Sequence, residues 1–154
     1  MARALIVGCG CRGRGLGERL AAAGWAVRGT SRREEGLPAI EAAGLESAIA
    51  DPDRPGTILD LVGDVAVVVL LLGNLAASEE ELAAIHGPRL ERLLEHLVDT
   101  PVRGVVYEGT EQGAGAVRAA GARWRIPFEI LAPGEDPEPA VRAVLADRPA
   151  NPNS

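Results

Sequence analysis

The chain has 154 residues, 47% of them hydrophobic and 25% charged, which suits one globular domain. Its net charge of −6 speaks against a nucleic-acid surface, although Arg12, Arg14, Arg32 and Arg33 form a local basic group. All 16 basic residues are arginine, which excludes a Walker A loop, a lysine Schiff base and a Tyr-x-x-x-Lys pair; the two cysteines, Cys9 and Cys11, make neither a disulfide framework nor a zinc site.

Leu5 to Val7 predicts a first strand, apolar throughout and so buried on both faces. It runs into Gly8-Cys9-Gly10-Cys11-Arg12-Gly13 and then into a strong helix former, with a predicted helix from Gly13 to Ala23 closed by Gly24. Strand, glycine turn and helix in that order form a dinucleotide-binding turn. Gly8 makes the bend, Gly10 lets the backbone approach a pyrophosphate, and Gly13 lets the helix lie close to the sheet. Backbone N–H groups at the helix start hold the phosphate, so Gly8, Gly10, Cys11, Arg12 and Gly13 are candidate contacts.

Trp25 to Thr30 reads as the second strand, Arg33 to Pro38 as a loop, and Ala39 to Ala43 as a short helix ended by Gly44. Glu46 to Ala50 is a third strand stopped by Asp51-Pro52-Asp53, and Pro55 to Leu61 a short helix ended by Gly63. Val65 to Leu72 is a branched, apolar run of the kind found in the middle of a parallel sheet, and far too short to span a bilayer. Ser78 to Glu81 forms a capping box before a helical stretch with Leu82, Ile85, Leu90, Leu93, Leu94 and Leu97 on one stripe. Gly87-Pro88 should kink or split that stretch. The stripe either buries against the sheet or pairs with a second copy, which would make a homodimer through the 82–97 helix. Val102 to Tyr107 is a fifth strand, Gln112 to Ala120 a helix closed by Gly121, and Pro127 to Leu131 a sixth strand. Glu138 to Ala146 is a last helix, and residues 148–154 read as a frayed tail.

Six strands alternating with helices predict a doubly wound parallel α/β sheet of Rossmann type, three layers deep, in the order 3-2-1-4-5-6. One domain over residues 1–147 uses the whole pattern. The N-terminus lacks a signal-peptide layout, so a cytoplasmic location, away from membranes, is the expectation.

The end of the second strand decides between nicotinamide cofactors, because an acidic residue there bonds the ribose of NAD and a basic one takes the 2′-phosphate of NADP. Thr30, Ser31, Arg32 and Arg33 stand at that place, and Arg12 in the glycine turn offers a third guanidinium. NADP(H) is therefore the expected ligand, with NAD the alternative. Asp51 lies where an adenine ring sits, and Gly73 and Asn74 lie nearer the nicotinamide or its ribose. An S-adenosylmethionine methyltransferase opens similarly, but such sites carry an acidic residue where Thr30 stands.

Other groups carry less. A thiol at Cys9 or Cys11 would be activated by a helix N-terminus and nearby arginines, although small residues also suit a crowded turn. His86 and His96 are not at metal-pair spacing, and His86 before Gly87-Pro88 reads as a loop or cap residue. Glu79 to Glu81 read as a solvated helix start. Glu108 and Glu111 flank the expected cofactor mouth as weak acid–base candidates, with no partner visible.

The run VGCGCRGRGLGERLAAAGWAVRGTSR resembles the opening of the extended and atypical short-chain dehydrogenase/reductase superfamily, the sugar-nucleotide epimerase-like proteins, and DTPVRGVVYEGT resembles that family's fifth strand. The resemblance covers roughly residues 3 to 110 and is specific in the first 33. It implies the dinucleotide site and a Rossmann domain. It also implies a catalytic Ser or Thr just after the fifth strand, a place only Thr110 can fill, and a Tyr-x-x-x-Lys pair, which Tyr107 followed by Glu111 cannot supply. The C-terminal substrate region of that family is likewise expected to be missing. Some members lacking the tyrosine act as NADP-sensing regulators, and the resemblance points to such a sensor or subunit. The alternative is an atypical reductase or epimerase-like enzyme whose site a second protomer completes.

Overall fold

The structure is a computed structural model and describes residues 2–146; the expected tail at 148–154 lies outside them. Six parallel strands form one sheet in the order β3-β2-β1-β4-β5-β6, where β1 is Arg3–Val7, β2 Ala26–Ser31, β3 Glu46–Ile49, β4 Val67–Leu71, β5 Gly104–Glu108 and β6 Phe128–Ile130. The helices are α1 Cys11–Ala22, α2 Leu37–Ala42, α3 Pro55–Leu59, α4 Glu79–Ala84, α5 Leu90–Leu97, α6 Glu111–Trp124 and α7 Glu138–Ala146. This is the open, doubly wound Rossmann-type sheet, with helices on both faces.

The period-2 alternation of the strands divides the core. Leu5, Val7, Val68, Leu70, Val105 and Tyr107 face the side covered by α3, α5 and α6, where they meet Ile58, Leu90, Leu94 and Val117. Ala4, Ile6, Val67, Val69, Leu71 and Val106 face the other side, against Leu16 and Leu20 of α1, Ile40 of α2, and Val141 and Val144 of α7. Leu90, Leu93, Leu94 and Leu97 are almost wholly buried within the chain. These four leucines thus pack on the sheet of their own chain, while Leu82 on α4 is half-buried.

Several boundaries move, each for a local reason. Helix α1 begins at Cys11, two residues before Gly13, so Cys11 and Arg12 belong to its first turn. Its last residue is Ala22, and Gly24 at φ +97° closes it as expected, with the Trp25 N–H donating to the Leu20 carbonyl and the Gly24 N–H to that of Ala21. The expected loop at 33–38 instead holds a 3-10 turn at Glu34–Gly36, and α2 starts directly from it at Leu37. Between α4 and α5 the chain makes a π-type turn over Ile85–Arg89, with non-helical angles at Gly87 before Pro88. Proline lacks the N–H that would continue the ladder, so the kink falls where the dipeptide predicts it.

Gly121 does not close α6, which runs on to Trp124 and stops at Arg125 in the left-handed conformation. A side chain at Gly121 would overlap the Phe128 ring. That glycine is a close-packing position of α6 against β6, which looks the same as a stop signal in a bare sequence.

Candidate functional site

The carboxyl ends of β1, β2 and β4 meet at the point where strand order reverses, and there the glycine turn lies. Gly8 has φ +82°, and a Cβ on it would overlap the carbonyl oxygen of Leu71 on β4. Only glycine makes this exit from β1 without strain. The Cys9 N–H donates to the Thr30 carbonyl at 3.1 Å, tying the turn to the end of β2. At Gly13 a Cβ would press on the Ile6 side chain at 3.1 Å, so α1 lies close on the sheet.

Gly10 is different. It is the N-cap of α1, extended at φ −82°, with no side chain capping the helix, and a Cβ there would meet nothing within 4 Å. Ser78 and Thr110, by contrast, cap α4 and α6 with their hydroxyls. The first-turn amides of α1 therefore sit uncapped beneath open space, in the arrangement that receives an anion. A diphosphate fits here sterically because the backbone can be approached at Gly10.

Two clefts meet at this turn. On the β2 and β3 side a cleft of about 770 Å³ is lined by Gly8, Gly10, Arg14, Ser31, Arg32, Arg33, Asp51 and Glu81, among others. On the β4 and β5 side a cleft of about 390 Å³ is lined by Gly10, Cys11, Arg12, Leu71, Asn74 and Glu108, among others. Gly73 is exposed beside Asn74, and a Cβ on it would meet Glu108 Oε1 at 3.1 Å.

Arg12 corrects the sequence reading. It lies on the β4 and β5 side, not beside Arg32 and Arg33, and donates from Nη1 to Glu108 Oε1 at 2.8 Å and from Nη2 to the Glu135 carbonyl at 2.6 Å. As the second residue of α1, its side chain leaves the helix toward β5. Arg14, two residues on, lines the β2-side cleft instead.

Glu108 also corrects an expectation, because it has a partner and is 3% exposed. Its second oxygen accepts from the Gly134 N–H at 3.2 Å, so the carboxylate ties α1 to the loop between β6 and α7. Thr110 is exposed, and its Oγ1 accepts from the Gly113 N–H at 3.1 Å as the cap of α6, which leaves its hydroxyl proton free. Thr30 lines the β2-side cleft but is almost wholly buried, and its hydroxyl donates to the Ile6 carbonyl at 3.3 Å. Ser31 Oγ accepts from the Arg33 N–H at 3.2 Å and so shapes the turn that presents Arg33. Asp51 Oδ1 accepts from the Asp53 N–H at 2.9 Å and pairs with Arg32 Nε at 3.2 Å.

The activated-thiol reading of Cys9 fails. Cys9 is buried under the turn against Gly29, and desolvation pushes its thiol up to about 11, with the charge of Arg14 opposing only weakly. Cys11 is exposed at the start of α1.

Sequence reasoning missed a buried pair. His86 is 2% exposed, not a loop residue, and its Nδ1 lies 2.6 Å from the hydroxyl of Tyr107. That hydroxyl also accepts from the Thr110 N–H at 3.0 Å, and burial holds the His86 pKa below its usual range. His86 stands in the π-type turn, immediately before the non-helical Gly87.

No family model matches the chain, and no curated protein matches it in sequence. Solved structures do match its fold. One is a short-chain dehydrogenase/reductase superfamily protein from Agrobacterium tumefaciens with bound NAD: TM-score 0.66, 18% identity, covering 83% of this chain and 48% of that one. Another is UDP-glucuronic acid 4-epimerase from Bacillus cereus in complex with NAD: TM-score 0.65, 14% identity, 96% and 65%. A third is triphenylmethane reductase from Citrobacter complexed with NADP(H): TM-score 0.62, 17% identity, 84% and 48%. The chain spans from about half to two thirds of the length of these proteins. No helix among the described residues is long and apolar enough to cross a membrane. The architecture of residues 2–146 is thus the Rossmann fold found in short-chain dehydrogenase/reductase proteins.

Proposed function

We propose that this protein binds NADP(H) across the two clefts and acts as a sensor or subunit without the dehydrogenase chemistry of the resembling family. The observation that carries the reading is the uncapped start of α1 beneath an open Gly10, set between a cleft lined by Arg14, Arg32 and Arg33 and one lined by Leu71, Asn74 and the Arg12–Glu108 pair. A diphosphate would rest on the first-turn amides, the adenosine half would lie by Asp51, and the nicotinamide half by Asn74. The fold neighbours with bound NAD or NADP(H) support a nicotinamide dinucleotide as the class of ligand. Arginines on the β2 side favour the phosphorylated form.

The absence of lysine from the sequence, which rules out a Tyr-x-x-x-Lys pair, supports a role without hydride transfer. The buried Glu108 at the end of β5 favours a second reading, a reductase of unusual design, because it places an ionisable group beside the nicotinamide half-cleft. A homodimer through the 82–97 segment would use the outer face of α5, with Glu91 and Glu95, since its leucines are buried. Calorimetric titration with NADPH, NADH and S-adenosylmethionine tests the proposal. NADPH should bind most tightly and without turnover of carbonyl substrates. Tighter NADH binding, or no heat with either dinucleotide, overturns it.

A further inference from the structure

We propose that the Arg12–Glu108 pair is an autoinhibitory clasp: it withholds Arg12 from the diphosphate and holds residues 132–136 down on α1, so that the dinucleotide binds as this strap lifts. This rests on the reading of the α1 start as the diphosphate cradle, and adds how a filled site changes the surface of the protein.

The segment between β6 and α7 is built as a strap. Leu131 and Pro137 are buried at its two ends, and residues 132–136 between them are all exposed. It is a self-bonded turn: the Glu135 N–H donates to the Ala132 carbonyl at 3.0 Å, and the Ala132 N–H to Glu135 Oε1 at 3.1 Å. Among the described residues, its hydrogen bonds to α1 and β5 run through three side chains. Arg12 Nη2 donates to the Glu135 carbonyl, Glu108 Oε2 accepts from the Gly134 N–H, and Arg19 Nη2 pairs with Asp136 Oδ1 at 3.0 Å. The Arg19 pair is about half exposed on both sides and so holds weakly. Arg12 and the buried Glu108 do most of the holding, and they are bonded to each other.

The same pair faces the ligand. Arg12 is the second residue of α1, and with Glu108, Gly10 and Cys11 it lines the cleft of about 390 Å³. A diphosphate on the first-turn amides sets a second anion beside one guanidinium and repels the Glu108 carboxylate. Arg12 cannot leave Glu108 while the strap is down, because a buried carboxylate without its partner is costly. The strap cannot lift while Arg12 holds the Glu135 carbonyl. When both happen together, water reaches Glu108 and the cost falls. Release of Arg12 and lifting of the strap are therefore one equilibrium, which the dinucleotide draws toward the open state. By linkage, whatever loosens the strap without touching the cradle tightens binding.

Two substitutions loosen the strap by different routes. Glu108→Gln keeps the shape of the side chain and removes the charge that holds Arg12. Gly134→Ala acts on the strap alone, since Gly134 has φ +79°, which disfavours any side chain, and a Cβ there would meet nothing within 4 Å. Hydrogen exchange followed by mass spectrometry reads residues 132–136, and calorimetric titration with NADPH reads affinity, in wild type and in both variants. Saturating NADPH should speed exchange of the strap in wild type by at least about fivefold. Without ligand, each variant should exchange there faster than wild type and bind NADPH more tightly by a similar factor, about threefold or more. A wild-type protein that binds NADPH while strap exchange is unchanged or slowed overturns the inference and leaves the NADP(H) reading standing. So does a G134A protein whose strap exchanges faster at unchanged or weaker affinity. A wild type that binds no dinucleotide removes both. Far-ultraviolet circular dichroism checks that each variant is folded, and should E108Q unfold, G134A carries the test.

Discussion

Replacing Gly10 by valine separates binding from folding more cleanly than any other change at the glycine turn. A Cβ at this position meets nothing within 4 Å, and the residue is extended at φ −82°, so the backbone admits a branched residue here without strain. The cost to stability is that of a poorer N-cap, a few tenths to about 1 kcal/mol, partly offset because valine restricts the unfolded chain. For a chain of this size about 1 kcal/mol moves the melting temperature by roughly 2–4 °C. Binding should respond far more strongly. The three added carbons fill the space through which a diphosphate would reach the α1 amides, and a hundredfold loss of affinity corresponds to about 2.7 kcal/mol. Thermal unfolding followed by circular dichroism and calorimetry with NADPH measure the two effects on one preparation. Unaltered NADPH binding in G10V would mean that no diphosphate sits on this turn. The same substitution at Gly8 tests nothing about the ligand, since φ +82° and the Leu71 carbonyl forbid it in the fold itself.

Other outcomes follow from particular contacts. Arg12→Ala strands the buried Glu108 carboxylate; discounted because Arg12 is 35% exposed, the loss should be about 2 kcal/mol, and E108Q in the same chain should recover part of it in a urea-unfolding cycle. Tyr107→Phe removes the partner of both His86 Nδ1 and the Thr110 N–H, and should cost roughly 1–3 kcal/mol by the same assay. His86 is held below its ordinary pKa of 6.5 by burial, so the fold keeps it neutral and the unfolded chain binds the extra proton. Its contribution is therefore fully present above pH 6.5 and is lost as pH falls below it; the urea midpoint should drop between pH 7 and pH 5, and less steeply in H86Q. In a thiol titration with a disulfide reagent at pH 8, native protein should yield one reactive cysteine, the exposed Cys11, and denatured protein two.

Local pattern carried the architecture of this chain. Strand β1, the glycine turn and the start of α1 are set by neighbours in sequence: an apolar run buried on both faces, a residue that accepts φ +82°, and a helix former after it. The alternation of apolar runs with capped helices then predicts a parallel sheet, and right-handed crossovers leave the order β3-β2-β1-β4-β5-β6 as the natural one. The kink at Gly87-Pro88 was legible for the same reason, since proline's missing N–H is a local fact.

What only the tertiary structure decided is which side chains face which cleft and what they meet there. Arg12 and Arg14 are two apart on one helix, and that spacing sends one to Glu108 and the other to the β2-side cleft. Glu108 looked unpartnered because its partner is 96 residues away along the chain. His86 meets Tyr107 across 21 residues, and Gly121 meets Phe128 across a helix–strand contact, so neither role leaves a local trace. Burial of an ionisable group is a property of what packs over it, and the residues that do so here come from other elements of the fold.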